Sequence, residues 1–336
     1  MKTVIIGGVA GGATCAARLR RLDENAQIVV LERGNYISFA NCGLPYYIGG
    51  IIEDRDDLLL QTPEEMSRKF NIDVRIRHEV VAINREKKTV TVRRLENGEQ
   101  YEESYDKLVI STGSSPIRPP IPGIDSPRVC TLTTLPDADA IKTFLQNNAR
   151  RAVVVGGGFI GLEAAENLHR AGLEVSIVEL GNQVMPPLDF EMAQLLHQHL
   201  ASKGVDLHLG EGVAEFSDRD RFAELRLSSG RMIEADIVIL SVGVRPNNKL
   251  ARAAGLKIGE RGGIAVDENM LTSDPDIYAV GDVAEVRDFV FDDPAMVPLA
   301  GPANKQGRVA ANNIAGIKDS FGAVQGSAIV RVFDLT

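Results

Sequence analysis

The sequence predicts an α/β, three-layer, doubly wound fold in which one βαβ module interrupts another. A strand, glycine turn and helix occur in that order twice, each copy ends its second strand on an acidic residue, and later strands run straight into glycine. In the first copy Val4-Ile5-Ile6 enters the turn Gly7-Gly8-Val9-Ala10-Gly11-Gly12, a helical stretch covers 13–22, and Val29-Val30-Leu31 ends at Glu32. In the second, Ala152-Val153-Val154-Val155 enters Gly156-Gly157-Gly158-Phe159-Ile160-Gly161, a helix runs to about residue 171, and Val175-Ser176-Ile177-Val178 ends at Glu179. Both units therefore read as Rossmann-like.

The glycines have a physical reason. Backbone N–H groups at a helix N-terminus reach a pyrophosphate only where side chains are missing, and the acidic strand end accepts from ribose hydroxyls. Gly7, Gly11, Gly12 and Glu32 are thus expected on one dinucleotide, and Gly156, Gly158, Gly161 and Glu179 on another. The second copy satisfies the G-x-G-x-x-G pattern in full, while the first has Val9 where a glycine is expected. A single such turn can be a mere tight connection; two copies agreeing in every part favour nucleotide binding. Glu179 also repels a 2′-phosphate, which favours NADH over NADPH, with NADPH kept as a second donor.

Further strand-to-glycine junctions follow at Leu108-Val109-Ile110-Ser111-Thr112-Gly113, at Ile237–Gly243 and at Asp276–Asp282. Between them, 75–93 and 214–233 alternate apolar and polar residues as antiparallel strands do, with turns at Asn97-Gly98 and Ser229-Gly230. The expected organisation is a first dinucleotide domain at 1–116 and 247–318, interrupted by a second at 117–246. Residues 328–336 look like the opening strand of another domain.

Bulk properties exclude several classes. A chain of 336 residues holds two or three domains. Its net charge of −9 argues against nucleic-acid or anionic-membrane partners. No apolar run approaches a membrane span, and Met1-Lys2 leads into a strand without a signal-peptide pattern. Three cysteines, an odd number, fit a reducing cytoplasm better than a disulfide framework. His197 and His199 stand at i and i+2, which diverge on a helix, and no CxxC or HExxH pattern exists, so no metal site is expected.

Cys42, in Ser38-Phe39-Ala40-Asn41-Cys42, has no second cysteine near it in sequence. A lone redox cysteine stores oxidation as a sulfenate, a persulfide or a mixed disulfide. Asn41-Cys42-Gly43-Leu44-Pro45 reads as a first helical turn, where proline is tolerated and the dipole favours a thiolate. A buried structural thiol is the plain alternative. Cys15, among alanines on a helix, reads as packing, and Cys130 has no motif around it.

The two turns, with the Ser111-Thr112-Gly113 and Gly281-Asp282 junctions, resemble the pyridine nucleotide–disulfide oxidoreductase superfamily over essentially the whole chain. The resemblance implies FAD on the first turn and NAD(P)H on the second, so that the NAD domain is inserted into the FAD domain. It places Asp282 on the ribityl chain, and it makes 298–307 open a helix whose positive end, near Ala300, faces the flavin. Arg33, Thr112 and Gly113 are further expected cofactor contacts, as are Ile160 and Gly243. Phe159 is implied as an aromatic gate and Glu163, one helical turn on, as a carboxylate near the nicotinamide; helix packing and a surface glutamate are the plain alternatives.

Ser38-Phe39-x-x-Cys42 resembles the single-cysteine branch, which holds coenzyme A-disulfide reductases, per- or polysulfide reductases, NADH oxidases and NADH peroxidases. The stretch Gly7–Ala16 is close to the coenzyme A-disulfide reductase version, since oxidases and peroxidases usually carry a histidine where Ala10 stands. The implied function is NAD(P)H-dependent reduction of coenzyme A disulfide, a persulfide or a polysulfide through Cys42, with coenzyme A as a bound ligand. An oxidase or peroxidase cycling a sulfenate is the alternative, and a flavin-binding redox-sensing module without turnover is another. Arg18, Arg21 and Lys69 are candidates for a coenzyme A phosphate, with Ser38, Asn41, Asn304 and Arg308 alongside; a solvated helix face is the plain alternative for the charges. The resemblance also makes 319–336 the start of a truncated C-terminal interface domain, so that a homodimer is implied for the complete protein and is doubtful for this truncated chain.

Overall fold

The computed structural model describes residues 1–336, which form two compact units. The first comprises Met1–Phe39, Leu59–Ser115 and Arg245–Ser327; the second comprises Ala40–Leu58, Pro116–Val244 and Ala328–Thr336.

The first unit is built on a five-stranded parallel sheet in the order Ile277–Ala279, Lys107–Ile110, Lys2–Ile6, Gln27–Leu31, Asp73–Arg75. Its inner strands are continuous apolar runs because a parallel sheet is covered on both faces, and Ile5, Leu31, Leu108 and Ile110 are fully buried. The helix Ala10–Leu22 packs on Ala300–Ile314 so closely that a Cβ on Gly307 would stand 2.5 Å from the Gly11 carbonyl oxygen. An antiparallel sheet of His78–Asn84, Thr89–Arg94 and Gln100–Ser104 follows, turning at Gly98 with φ 76°.

The second unit repeats this plan. Its parallel sheet runs Asp206–Leu209, Glu174–Glu179, Arg151–Val155, Ile237–Leu240, Val129–Cys130, and its antiparallel sheet holds Val213–Asp218, Ala223–Leu227 and Met232–Ala235. The strand that enters each glycine turn is central in its sheet, so both turns open at the carboxyl edge where such folds bind ligands. Gly7 and Gly156 take φ 98° and 109°, a region L side chains avoid. A Cβ on Gly12 would run into the Gly7 carbonyl oxygen, and one on Gly161 into that of Gly156.

Two stretches differ from expectation. Residues 40–58 group with the second unit, where Arg55 pairs with Asp139 at 2.8 Å and the Lys142 ammonium lies 3.9 Å from the Tyr47 ring centre. Residues 328–336 form no strand. Val332 and Leu335 close a tight turn through Phe333 at φ 56°, whose ring meets His169 edge-on at 5.3 Å. Asp334 is held by Lys203 at 2.8 Å, and these contacts outweigh the strand propensity of Ile329-Val330.

Candidate cofactor and thiol sites

At the first turn the Glu32 carboxylate is already committed to backbone. It accepts from the N–H of Gly8 at 2.9 Å and of Gly34 at 2.7 Å, bracing the turn against the strand end. The helix Ala10–Leu22 starts with no side-chain cap and no acidic residue in its first turn, which leaves amide donors for an anion. Arg33 is exposed nearby in sequence.

Thr112 and Gly113 are tied to Asn247, which sequence reasoning missed. The Asn247 amide donates to the Thr112 carbonyl at 2.8 Å, its backbone N–H to that of Gly113 at 2.9 Å, and the Thr112 hydroxyl donates to the Asn247 carbonyl at 2.9 Å. Asp282 accepts from the Ser114 hydroxyl at 2.8 Å, and burial pushes its carboxyl above the usual range. Gln306, also unforeseen, accepts from the Gly281 N–H at 2.7 Å and so fixes the junction before Asp282. Ala300 is exposed at the start of Ala300–Ile314, whose N-terminus again has no side-chain cap.

The second turn is a close copy. Glu179 accepts from the N–H of Gly157 and of Gly181, both at 2.7 Å, and the Ser241 hydroxyl donates to the carbonyls of Val155 and Gly156. Gly158 faces open space, so a phosphate can approach its backbone. Phe159 and Ile160 open the helix Phe159–Arg170 and are 37% and 39% exposed, and Gly243 is exposed at φ 103°. Free helix-start amides, glycines a Cβ would block and a braced acidic strand end fit FAD and NAD(H) at the two turns.

Asn41–Gly43 is a short 3-10 turn leading into the helix Leu44–Ile48, with Pro45 in its first turn. Cys42 is exposed, whereas Cys15 is fully buried with its thiol pushed up to about 12, and Cys130 is half-buried. Against the thiolate expected from the helix start, burial first and the Glu163 carboxylate second raise the Cys42 thiol, while its own backbone N–H lowers it. Glu163 is itself raised, by burial and by Glu166, while a hydrogen bond from the Tyr46 hydroxyl favours its ionised form. Tyr46 and Glu166 carried no motif, and only the folded contact reveals them.

The candidate coenzyme A contacts separate by unit. Asn41 lies with Cys42 in the second, its amide donating to the Thr133 carbonyl at 3.4 Å; the other six lie in the first. There Arg18 donates to the Asn312 side chain at 2.9 Å, Asn304 accepts from the Thr14 hydroxyl at 2.8 Å, and the Arg21 guanidinium lies 5.6 Å from the Phe70 ring centre. Lys69 pairs with Glu65 at 3.0 Å, an exposed helix pair of little cost to break. Ser38 is left-handed at φ 45° with its N–H on the Gly8 carbonyl, and Arg308 is exposed. His197 accepts from the Val184 N–H at 3.1 Å, while His199 faces Asp334 at 3.0 Å. No helix is long and apolar enough to cross a membrane.

Residues 1–307 match the family of pyridine nucleotide-disulphide oxidoreductases. The chain belongs to that family. It is 38% identical to a coenzyme A disulfide reductase of Staphylococcus aureus, over all of this chain and 75% of that protein. Among solved structures, reduced Bacillus anthracis CoADR-RHD superposes with TM-score 0.96 at 50% identity, covering 99% of this chain and 60% of that one. A NAD-dependent persulfide reductase from A. fulgidus gives TM-score 0.97 at 42% identity, covering 99% and 63%. The chain thus spans three-quarters of the curated relative and somewhat under two thirds of these two solved ones.

Proposed function

We propose that this protein uses NADH to reduce a small disulfide, persulfide or polysulfide through Cys42. Its overall reaction for a disulfide is NADH + H⁺ + RSSR → NAD⁺ + 2 RSH. The observation that carries the reading is the exposed Cys42 at the head of its short helix, in a chain whose two turns both fit dinucleotides. Relatives named coenzyme A disulfide reductase and persulfide reductase support it.

FAD at the first turn supplies two-electron transfer between nicotinamide and sulfur. The chain's own groups do the rest. Amides of the second turn hold the nucleotide pyrophosphate, Glu179 orients its ribose, and Phe159 covers or uncovers the ring site. Cys42, once ionised, attacks a substrate sulfur, forming Cys42–S–S–R and releasing RS⁻, which takes a proton to leave as RSH. Arg18, Arg21 and Lys69 supply positive charge for a coenzyme A phosphate when the substrate carries one.

The test is NADH consumption with coenzyme A disulfide, polysulfide, peroxide and oxygen as alternative acceptors, in wild type and in Cys42→Ser. A sulfur acceptor is expected to win. The variant should keep FAD and still let NADH bleach it, yet lose sulfur reduction altogether. Peroxide or oxygen as the best acceptor, or sulfur reduction unchanged in Cys42→Ser, overturns the reading.

A further inference from the structure

Four segments of the first unit meet at the Gly281-Asp282 junction, and hydrogen bonds tie them into a closed ring. Glu285, three residues after Asp282, is 8% exposed, a rare place for a carboxylate. It accepts the N–H of Glu260 at 2.8 Å, of Arg261 at 2.7 Å and of Gly263 at 3.3 Å, a nest of amides around one charge. Loop 259–263 fits so tightly that a Cβ on Gly259 would strike this carboxylate. The Gly262 carbonyl, on the same loop, accepts from the Asn248 amide at 2.6 Å.

Asn247, the residue before, uses all four of its polar groups on residues 112–115. Besides its three bonds to Thr112 and Gly113, its side-chain oxygen accepts from the Ser115 hydroxyl at 2.8 Å. Ser114, between those anchors, donates its hydroxyl to Asp282 at 2.8 Å. Asp282 leads back to Glu285 through a turn in which the Ala284 N–H meets the Gly281 carbonyl at 2.9 Å. The ring thus runs from Glu285 through loop 259–263, Asn248 and Asn247, residues 112–115 and Asp282. Gly113, at φ 62°, has nothing within 4 Å of where a Cβ would stand, so this corner is bare backbone open to a ligand.

We propose that Asn247 is a positioning residue for FAD: it fixes residues 112–115, and with them the Ser114–Asp282 hydrogen bond, while Glu285 holds Asn247 in place through loop 259–263. The proposal rests on the first turn and the Gly281-Asp282 junction serving the flavin, and not on the sulfur chemistry proposed above. A loose 112–115 segment lowers affinity, because binding must then order it. The Ser114 hydroxyl turns its positive end to Asp282 and offsets the carboxylate charge. Losing that bond leaves a fuller negative charge beside a cofactor that gains electrons, which disfavours the reduced flavin more than the oxidised one. Affinity and redox potential then both depend on an amide that acts through its neighbours.

The experiment follows FAD release by flavin fluorescence, the flavin potential against reference dyes, and melting, all in the FAD-loaded chain. Asn247→Ala removes two side-chain hydrogen bonds and should release FAD about tenfold faster, with a lower potential. Ser114→Ala should lower the potential in the same direction with a smaller change in release. Glu285→Gln sets an amide NH₂ against backbone N–H donors and should move both readouts as Asn247→Ala does, but less. Arg85→Ala breaks the Arg85–Asp274 pair, 2.6 Å apart at the amino edge of the same sheet, and should lower melting alone. An Asn247→Ala protein that melts lower yet keeps wild-type release and potential overturns the proposal, since Asn247 then serves only the fold. An equal fall in potential in Arg85→Ala does so as well, because general loosening would be the cause. If Asn247→Ala does not fold, an unchanged potential in Ser114→Ala overturns it. If Glu285→Gln does not fold, Asn248→Ala cuts the same arm, and wild-type behaviour there overturns the role given to Glu285. The expected flavin readouts in a chain that reduces no sulfur acceptor remove the reaction proposed above and leave Asn247 its role.

Discussion

The two glycine turns share a skeleton and differ in how they are finished. Both place a left-handed glycine after a central strand, both tie the acidic strand end to two backbone amides, and both need a glycine where the helix crosses the turn's own carbonyl. The first is closed in by a second helix: Gly307 presses on the Gly11 carbonyl, and Thr14 and Arg18 bond Asn304 and Asn312 across the pair. The second leaves Phe159 and Ile160 exposed at its helix start and Gly158 in open space. A closed turn suits a dinucleotide that stays bound, and an open one suits a dinucleotide that enters and leaves each cycle.

The largest expected effect tests that division. Gly12→Ala and Gly161→Ala place the same methyl against the same carbonyl in the two turns. The first should purify with little FAD, seen as lost flavin absorbance, and the second should purify yellow but bind NADH at least ~100-fold more weakly, about 2.7 kcal/mol. If Gly161→Ala also loses its flavin, the turns are not independent and the comparison breaks.

Much of this architecture is legible in the sequence because it is local. The apolar strands, the glycines and the acidic ends recur in both copies at matching positions, and the sheets place them as expected. What was hidden depends on partners distant in the chain. Asn247 and Gln306 brace the first site through side chains that no motif singles out, although the helix bearing Gln306 was itself expected. For Cys42 the dipole of its helix is visible in sequence, whereas the burial and the Glu163 carboxylate that raise its thiol are not. That helix, Leu44–Ile48, is a short one, and the acid facing it sits on Phe159–Arg170. The tail turn at Phe333 was misjudged for the same reason, since His169 and Lys203 bend a segment whose composition favours a strand.

A smaller effect sharpens the comparison at the acidic ends. Glu179→Arg removes repulsion of a 2′-phosphate and supplies a bidentate partner, so the ratio of kcat/KM for NADPH over NADH should rise about tenfold or more, equivalent to ~1.4 kcal/mol. The gain is bounded because the same change gives up both amide bonds, at Gly157 and Gly181, that brace the turn. Glu32→Arg in the first turn should leave that ratio unchanged and instead lower flavin content. A wild-type protein that strongly prefers NADPH would show that Glu179 does not face the nucleotide ribose.

The smallest effect on the fold is expected at Gly158, where the two turns differ most directly. Its backbone sits at φ −81°, ψ −172°, which alanine adopts freely, and a Cβ there meets nothing within 4 Å. Gly158→Ala should therefore melt at the wild-type temperature or slightly above it, since alanine reduces the freedom of the unfolded chain by about 0.4–1 kcal/mol. The added methyl nevertheless occupies the space through which a pyrophosphate reaches the helix-start amides. KM for NADH should rise severalfold while flavin content stays constant, a split that general destabilisation cannot produce. The first turn already carries Val9 at the corresponding place, so Val9→Ala should change flavin content little. A KM for NADH unchanged in Gly158→Ala would mean that the open space is not the phosphate's path, and the functional difference drawn between the turns would lose its structural basis.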